Sequence, residues 1–283
     1  MGNHPPPDPH MATRLILLCA LLVILPPILY WSLPVGLDWQ NTYRPAALAV
    51  LAGASPYSVE IYYAAPWAAW ILVPFAILPY ALGRLLTFLL GMLAFAFVAW
   101  RAGATRITMI LFLCSAGVVG CLNNGNIEWM PLLAVVSPPW LGLILATVKP
   151  QVGIGLGLYW LVSLVRGKGW KAALLGFVPV TSLSLISFLL YGLWPLRFNQ
   201  TLAWSVDNTS LGLQSVFIGA VLLVRSIRIR DARMALASGP FLSPYVLQFT
   251  WSACLVGLLN HPWELLVAVI CLWIPVLLRI FNA

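Results

Sequence analysis

The chain has 283 residues, 62% of them apolar and 8% charged, against about 45–50% and about 25% in soluble domains. With a mean hydropathy of +0.96, this composition excludes a soluble globular enzyme and a disordered chain alike, because neither can accommodate so much apolar surface with so little charge. Fifteen Lys and Arg against seven Asp and Glu give a net charge of +8, which in so apolar a chain reads as topology-setting charge in short loops and not as a nucleic-acid surface. At about 20 apolar residues per helical crossing, the sequence predicts an all-α, polytopic transmembrane bundle of roughly ten spans.

Residues 1–13, polar and Pro-rich, are expected to form a disordered tail, with 14–283 a single integral membrane domain. A first span follows Arg14. The longest interruption of the apolar pattern, 32–65, contains Asp38, Arg44 and Glu60. Inside it the apolar run 45–53 is too short to cross and predicts a helix along the membrane surface. Spans are expected at 66–82, 85–100 and 107–122, followed by the polar knot Asn123-Asn124-Gly125-Asn126-Ile127-Glu128. Residues 129–148, broken at Pro138-Pro139, form one kinked span or two half-length helices. Lys149-Pro150-Gln151 follows, with Pro150 opening the next helix. That helix runs to about Val165, a basic loop occupies 166–171, and further spans cover 172–193, 211–224, about 241–260 and 264–280.

Basic residues orient the bundle. Arg166, Lys168, Lys171, Arg225, Arg228, Arg230 and Arg233 concentrate in two segments, whereas the polar loops 32–65 and 195–210 hold only Arg44 and Arg197. The positive-inside bias therefore places both termini, with Arg279, in the cytoplasm and the two polar loops outside. Trp31, Trp67, Trp100, Trp170 and Trp194 read as an interfacial aromatic belt. The five cysteines lie in apolar stretches and read as small buried hydrophobes.

Few residues are left to carry chemistry. Asp38 stands at the edge of a span, where a partly desolvated carboxylate suits a general base; a cap for the short surface helix is the alternative. Lys149 interrupts an apolar stretch at a helix start, where a phosphate-bearing ligand would explain it, as would a snorkelling topology charge. On the phosphate reading, Lys149→Met should impair use of a phosphate-bearing donor far more than folding. Glu128 with Asn123, Asn124 and Asn126 either binds a polar ligand or satisfies broken helix ends. The Gly153, Gly155, Gly157 series lies in an apolar helix, where Gly153 and Gly157 predict a close-packing stripe. No zinc-protease, Walker or nucleophile-elbow pattern occurs, and neither a metal nor a cofactor is expected.

Gly36-Leu37-Asp38-Trp39-Gln40 with Tyr43, then Gly53-Ala54-Ser55-Pro56-Tyr57, then Ala65-Pro66 opening a span that ends near Leu78-Pro79, resembles glycosyltransferase family 87. That family belongs to the polyprenyl-phosphate-dependent, GT-C-type membrane glycosyltransferases and includes bacterial mannosyltransferases. Asn124-Gly125-Asn126, Val148-Lys149-Pro150-Gln151, Asn208-Thr209-Ser210-Leu211 and the Ser243-Pro244-Tyr245 region are similar to further elements of it, in order across residues 36–245. The resemblance implies a GT-C-like fold in a bacterial plasma membrane and a multi-pass topology. It implies transfer of a sugar, mannose being the family's example, from a polyprenyl-phosphate donor to a hydroxyl of a lipid or glycan acceptor at the outer face. Asp38 would be the catalytic base, with Glu60 the competing carboxylate in the same loop. Lys149, Arg44 or Arg197 would stabilise the departing phosphate. Tyr43, Tyr57, Asn124, Asn126, Glu128, Gln151 and Asn208 complete the implied substrate-binding set, and membrane lipids surround the whole. Without the resemblance, the same features fit a non-catalytic transporter or lipid flippase, or a structural subunit of a membrane complex.

Overall fold

A computed structural model describes residues 27–197 and 208–281. The expected tail, most of the first span and residues 198–207 of the second polar loop lie outside the described residues. Every regular element among the described residues is helical.

One turn of π-helix, Trp39–Tyr43, runs directly into α1 (Arg44–Leu51), which has Pro45 in its first turn. α1 falls on the apolar run 45–53, and its Ala46 and Ala47 are buried where it packs on α2 (Pro66–Ala76). The expected span 66–82 is not one helix. α2 stops at Ala76, the chain turns through Ile77 and Leu78, and Pro79, extended at ψ 140°, precedes α3 (Tyr80–Arg101). Arg84, expected between two spans, is therefore inside the first turns of α3.

The expected span 107–122 bends by 50° between α4 (Arg106–Leu113) and α5 (Ala116–Asn124). The cause is Ser115, extended at ψ 149°, whose hydroxyl accepts the Val118 N–H at 3.4 Å. A serine that caps a new helix competes with continuation of the old one. Residues 129–148 adopt the two-piece alternative: α6 (Trp129–Leu133) with a 3₁₀ turn, Ala134–Val136, then α7 (Pro139–Ala146) after the extended Ser137 and Pro138.

α8 (Pro150–Tyr191) opens at Pro150 and contains 42 residues. A straight helix of that length would reach about 63 Å, twice the hydrocarbon core of a bilayer. Gly169, at φ 81° and ψ 173°, breaks it, and the chain doubles back so that Leu164 faces Gly176. Tyr191 thereby returns to Tyr57 and Trp70, close to where α8 began beside Ala65. The segment expected as a basic loop at 166–171 is helical on both sides of that single residue.

α9 (Ser215–Ile229) and α10 (Ala232–Leu242) form a hairpin through Arg230, which is left-handed at φ 58°, and Asp231. The expected span 241–260 is also not one helix. α10 ends at Leu242, residues 243–247 are non-helical, and a 3₁₀ turn, Gln248–Trp251, leads into the short α11 (Ser252–Gly257). α12 (Pro262–Phe281) closes the chain. By length and apolarity three of these helices suffice to cross a membrane: α3, α8 and the Pro262–Arg279 stretch of α12; the bent α4–α5 pair makes a fourth if taken as one span.

Packing departs from expectation in three places. Gly153 lies against the Ala146 carbonyl and Gly155 against Ala235 and Ser238, whereas a Cβ on Gly157 would meet only Leu143, at 3.9 Å. The close-packing stripe is thus Gly153 with Gly155, one facing α7 and the other α10. Trp31, Trp100 and Trp170 are exposed at element ends, but Trp67 and Trp194 are core residues that pack edge to face at 6.0 Å. Cys121 is buried, but Cys114, in the bend between α4 and α5, and Cys271, on α12, are exposed.

The bundle has two chemically different ends. At one, the Tyr80 hydroxyl donates to the Val35 carbonyl and Ala65 N–H to the Val148 carbonyl at 3.1 Å, gathering the segments around Asp38 and Lys149. At the other, Arg233 donates to the Ala102 carbonyl at 2.8 Å just past the end of α3, with Asn260 alongside Gly103. Arg101, Arg106, Arg228 and Arg230 collect near this second end, and the turn at Gly169 lies about 28 Å of helix away from Lys149.

Candidate functional site

The site is built around the end of α5. Gly125 caps that helix in the left-handed conformation, φ 69° and ψ 33°, and its neighbours make the paired bonds of such a cap: Asn126 N–H to the Cys121 carbonyl at 2.9 Å and Gly125 N–H to Leu122 at 3.3 Å. A Cβ at 125 would come within 2.6 Å of Trp39 Cβ, so the glycine also lets the π-turn approach. Arg84 reaches from α3 to donate from Nη2 to the Leu122 and Asn123 carbonyls at 2.6 and 2.8 Å, satisfying oxygens that a helix end leaves open.

This turn delivers Asn126, which is 4% exposed, into a chain of five polar side chains. Asn126 Nδ2 donates to Asp38 Oδ2 at 2.7 Å. Asn126 Oδ1 accepts from Lys149 Nζ and from the Ile127 N–H, both at 2.7 Å. Lys149 Nζ also pairs with Glu128 Oε1 at 3.2 Å, and Thr250 donates to that oxygen at 2.6 Å. Lys149 and Glu128 are 2% and 0% exposed. The ammonium stands 6.0 Å from the centroid of the Tyr43 ring. Burial first, then the Asp38 and Glu128 carboxylates, push the Tyr43 phenol well above its ordinary range, which keeps it neutral.

A cavity of about 590 Å³ opens beside this chain. Asp38, Tyr43, Asn124, Asn126, Lys149 and Gln151 all lie on its wall, as does Arg279 from α12. The position of Arg279 corrects the topology drawn from the sequence: it shares one cavity with Asp38, so the two cannot be assigned to opposite faces. The α12 helix starts beside Asn260, near the basic end, and its twenty residues carry the C-terminal segment back to the Asp38 end.

The other expected residues lie elsewhere. Arg44 is half-buried over the Tyr80 ring at 5.7 Å and is not on the cavity wall. Tyr57 donates to the Ala64 carbonyl at 3.0 Å and stacks on Trp194, in an aromatic cluster with Tyr62 and Tyr191. Asn208 accepts the Val246 N–H and donates to the Pro244 carbonyl at 3.0 and 3.1 Å, so it braces the 244–248 segment whose Tyr245 and Gln248 line the cavity. Glu60 is exposed and off the wall. The side chain of Arg197 lies outside the described residues.

Sequence reading missed Arg84, Thr250 and Arg279. Arg84 carries a usable signal, a lone charge between apolar runs, but that signal equally fits a separator between two spans. Thr250 carried none, because a threonine within an apolar stretch is unremarked until a carboxylate is found opposite it.

No family model matches the chain, and no curated protein or solved structure matches it either.

Proposed function

We propose that the chain is a multi-pass membrane glycosyltransferase that moves a sugar from a polyprenyl-phosphate donor to an acceptor hydroxyl, with Asp38 as general base. The observation that carries this reading is the meeting of Asp38, Asn126, Lys149 and Arg279 on one polar cavity within an otherwise apolar helical bundle. In the step itself the acceptor oxygen bonds to the sugar's anomeric carbon, the bond from that carbon to the phosphate oxygen breaks, and its electron pair leaves with the polyprenyl phosphate. Asp38 Oδ takes the hydroxyl proton. The Asn126 amide fixes the carboxylate's direction, and Lys149 fixes the amide. Such preorganisation of charge is the largest catalytic effect that a site of this kind offers. Arg279 and the Lys149 ammonium supply positive charge toward the leaving phosphate, and the apolar helix surfaces suit a prenyl tail. With the basic end in the cytoplasm, the cavity opens at the outer face and α1 lies at that interface.

The buried Lys149–Glu128 pair favours one competing reading, a lipid transporter, since ionisable pairs inside bundles mark transport paths. Purified protein in sealed liposomes that carry polyprenyl-phosphate hexoses and an extract of membrane lipids separates the two. Transferase activity converts the donor to free polyprenyl phosphate, and Asp38→Asn lowers the rate by about 10²–10⁴. Donor movement across the bilayer without consumption identifies the transporter. Consumption that survives Asp38→Asn but fails in Glu60→Gln overturns the assignment of the base.

A further inference from the structure

Lys149 Nζ donates to Asn126 Oδ1 at 2.7 Å and pairs with Glu128 Oε1 at 3.2 Å, and the same Asn126 amide donates to Asp38 at 2.7 Å. One amide group therefore links the ammonium to the Asp38 carboxylate. Lys149 and Asp38 lie on the cavity wall; Glu128, wholly enclosed, does not. The ion pair turns its positive end to the cavity and carries no net charge. Thr250, which donates to the same Glu128 oxygen at 2.6 Å, holds the negative end in place.

A close cation favours the ionised form of a carboxyl and so weakens it as a base, by about 1–3 pKa units. Lys149 is too deeply buried for water to screen that effect. The other groups facing Asp38 do not offset it. Tyr43, Tyr63 and Tyr245 share the wall but bring hydroxyls and not charges. Arg279 on the wall and Arg84, packed against Gly36, are further cations. Cys121, which donates to the Asn126 carbonyl at 3.4 Å, is a buried thiol. Glu60 is exposed and off the wall, and Asp231 and Glu264 belong to the basic end. Among the described residues, Glu128 is the carboxylate placed to balance the ammonium.

We propose that Glu128 is a positioning residue for the base: it holds the Lys149 ammonium against Asn126 and offsets its charge, so that Asp38 stays basic enough to take a hydroxyl proton. The use of that proton affinity rests on the sugar-transfer reading. The affinity itself can be measured without turnover.

Infrared difference spectra of the full-length protein in nanodiscs follow the Asp38 carboxyl band through a pH titration, the band being assigned by its loss in Asp38→Asn. Glu128→Gln should move the Asp38 midpoint down by about one unit or more, because the unbalanced ammonium favours the ionised carboxyl. Lys149→Met combined with Glu128→Gln removes both charges and should return the midpoint to within about half a unit of wild type. The double variant decides the question if the single one does not fold. The acidic limb of donor consumption by Glu128→Gln should move down with the titration, a change that lost packing alone would not produce. A Glu128→Gln midpoint equal to wild type, or a double variant displaced by about a unit or more, overturns the proposal even where transfer is observed. A midpoint that shifts as expected in a protein that consumes no donor overturns the transferase reading and leaves the charge balance standing.

Discussion

Asp38 and Asn126, 88 residues apart in sequence, meet in a 2.7 Å hydrogen bond whose direction is set from behind. The Asn126 oxygen is taken by the Lys149 ammonium and the Ile127 N–H, so only the amide nitrogen can turn toward Asp38. A carboxylate with a fixed donor on one oxygen has a defined orientation for the other.

Replacing that donor with an acid tests the arrangement. Asn126→Asp puts a second carboxylate against Asp38, and like charges at such a distance raise the pKa of one of them. The acidic limb of the pH–rate profile should move upward by about one unit or more, with circular dichroism unchanged. A profile superimposable on wild type would show that the two side chains do not interact in the working protein.

Thr250 holds Glu128 Oε1, while Oε2 has no partner and is buried. Thr250→Val removes a hydroxyl from a charged acceptor and should cost about 1–3 kcal/mol in unfolding free energy. Thr250→Ser, which retains the donor, should recover most of that loss. Denaturant unfolding in mixed micelles checks both.

The ion pair changes what is expected of Lys149→Met. Losing the ammonium leaves Glu128 buried and unpaired, a change worth about 3–5 kcal/mol in comparable cores, so folding should suffer together with donor use. Adding Glu128→Gln removes the orphaned charge and should restore most of the stability without restoring donor use. A Lys149→Met single variant as stable as wild type would show that the Lys149–Glu128 pair contributes no net stability to the fold.

Asp231 gives a pH dependence at the basic end. Burial raises its pKa, but three hydrogen bonds from Arg233, at 2.9, 3.0 and 2.9 Å, and the Arg233 charge outweigh burial, so the group ends below its ordinary value. A depressed carboxyl binds its proton less readily when folded, so its contribution is present above the usual aspartate range and is lost as pH falls through the folded value. Tm should fall between about pH 5 and pH 2, and Asp231→Asn should flatten part of that slope.

Much of the site was legible because polar residues stand out against an apolar background. Asp38, the asparagine knot, Lys149 and the Pro150 helix start all carried local signals, and the fold brings the first three together. Helix breaks were harder. Pro138-Pro139 announced one, but Ser115 and Pro79 lie in runs whose mean apolarity still reads as continuous span, and capping there outcompetes it. Arg279 was misplaced because the count of crossings assumed a full-length helix in every apolar run, and the 241–260 region does not supply one. Arg84 is indistinguishable from a loop charge by composition, because a helix start and a loop look alike there; only the carbonyls of Leu122 and Asn123 reveal its use.

The reversal at Gly169 consists of one non-helical residue, and it places Arg166, Lys168 and Lys171 on the surface within six positions. By sequence this is an inviting trypsin target, but a protease cleft needs several residues of extended substrate, and here the turns on both sides must first unwind. Cleavage there would therefore proceed at the rate at which the two helix ends fray, and digestion would measure the local stability of the hairpin tip.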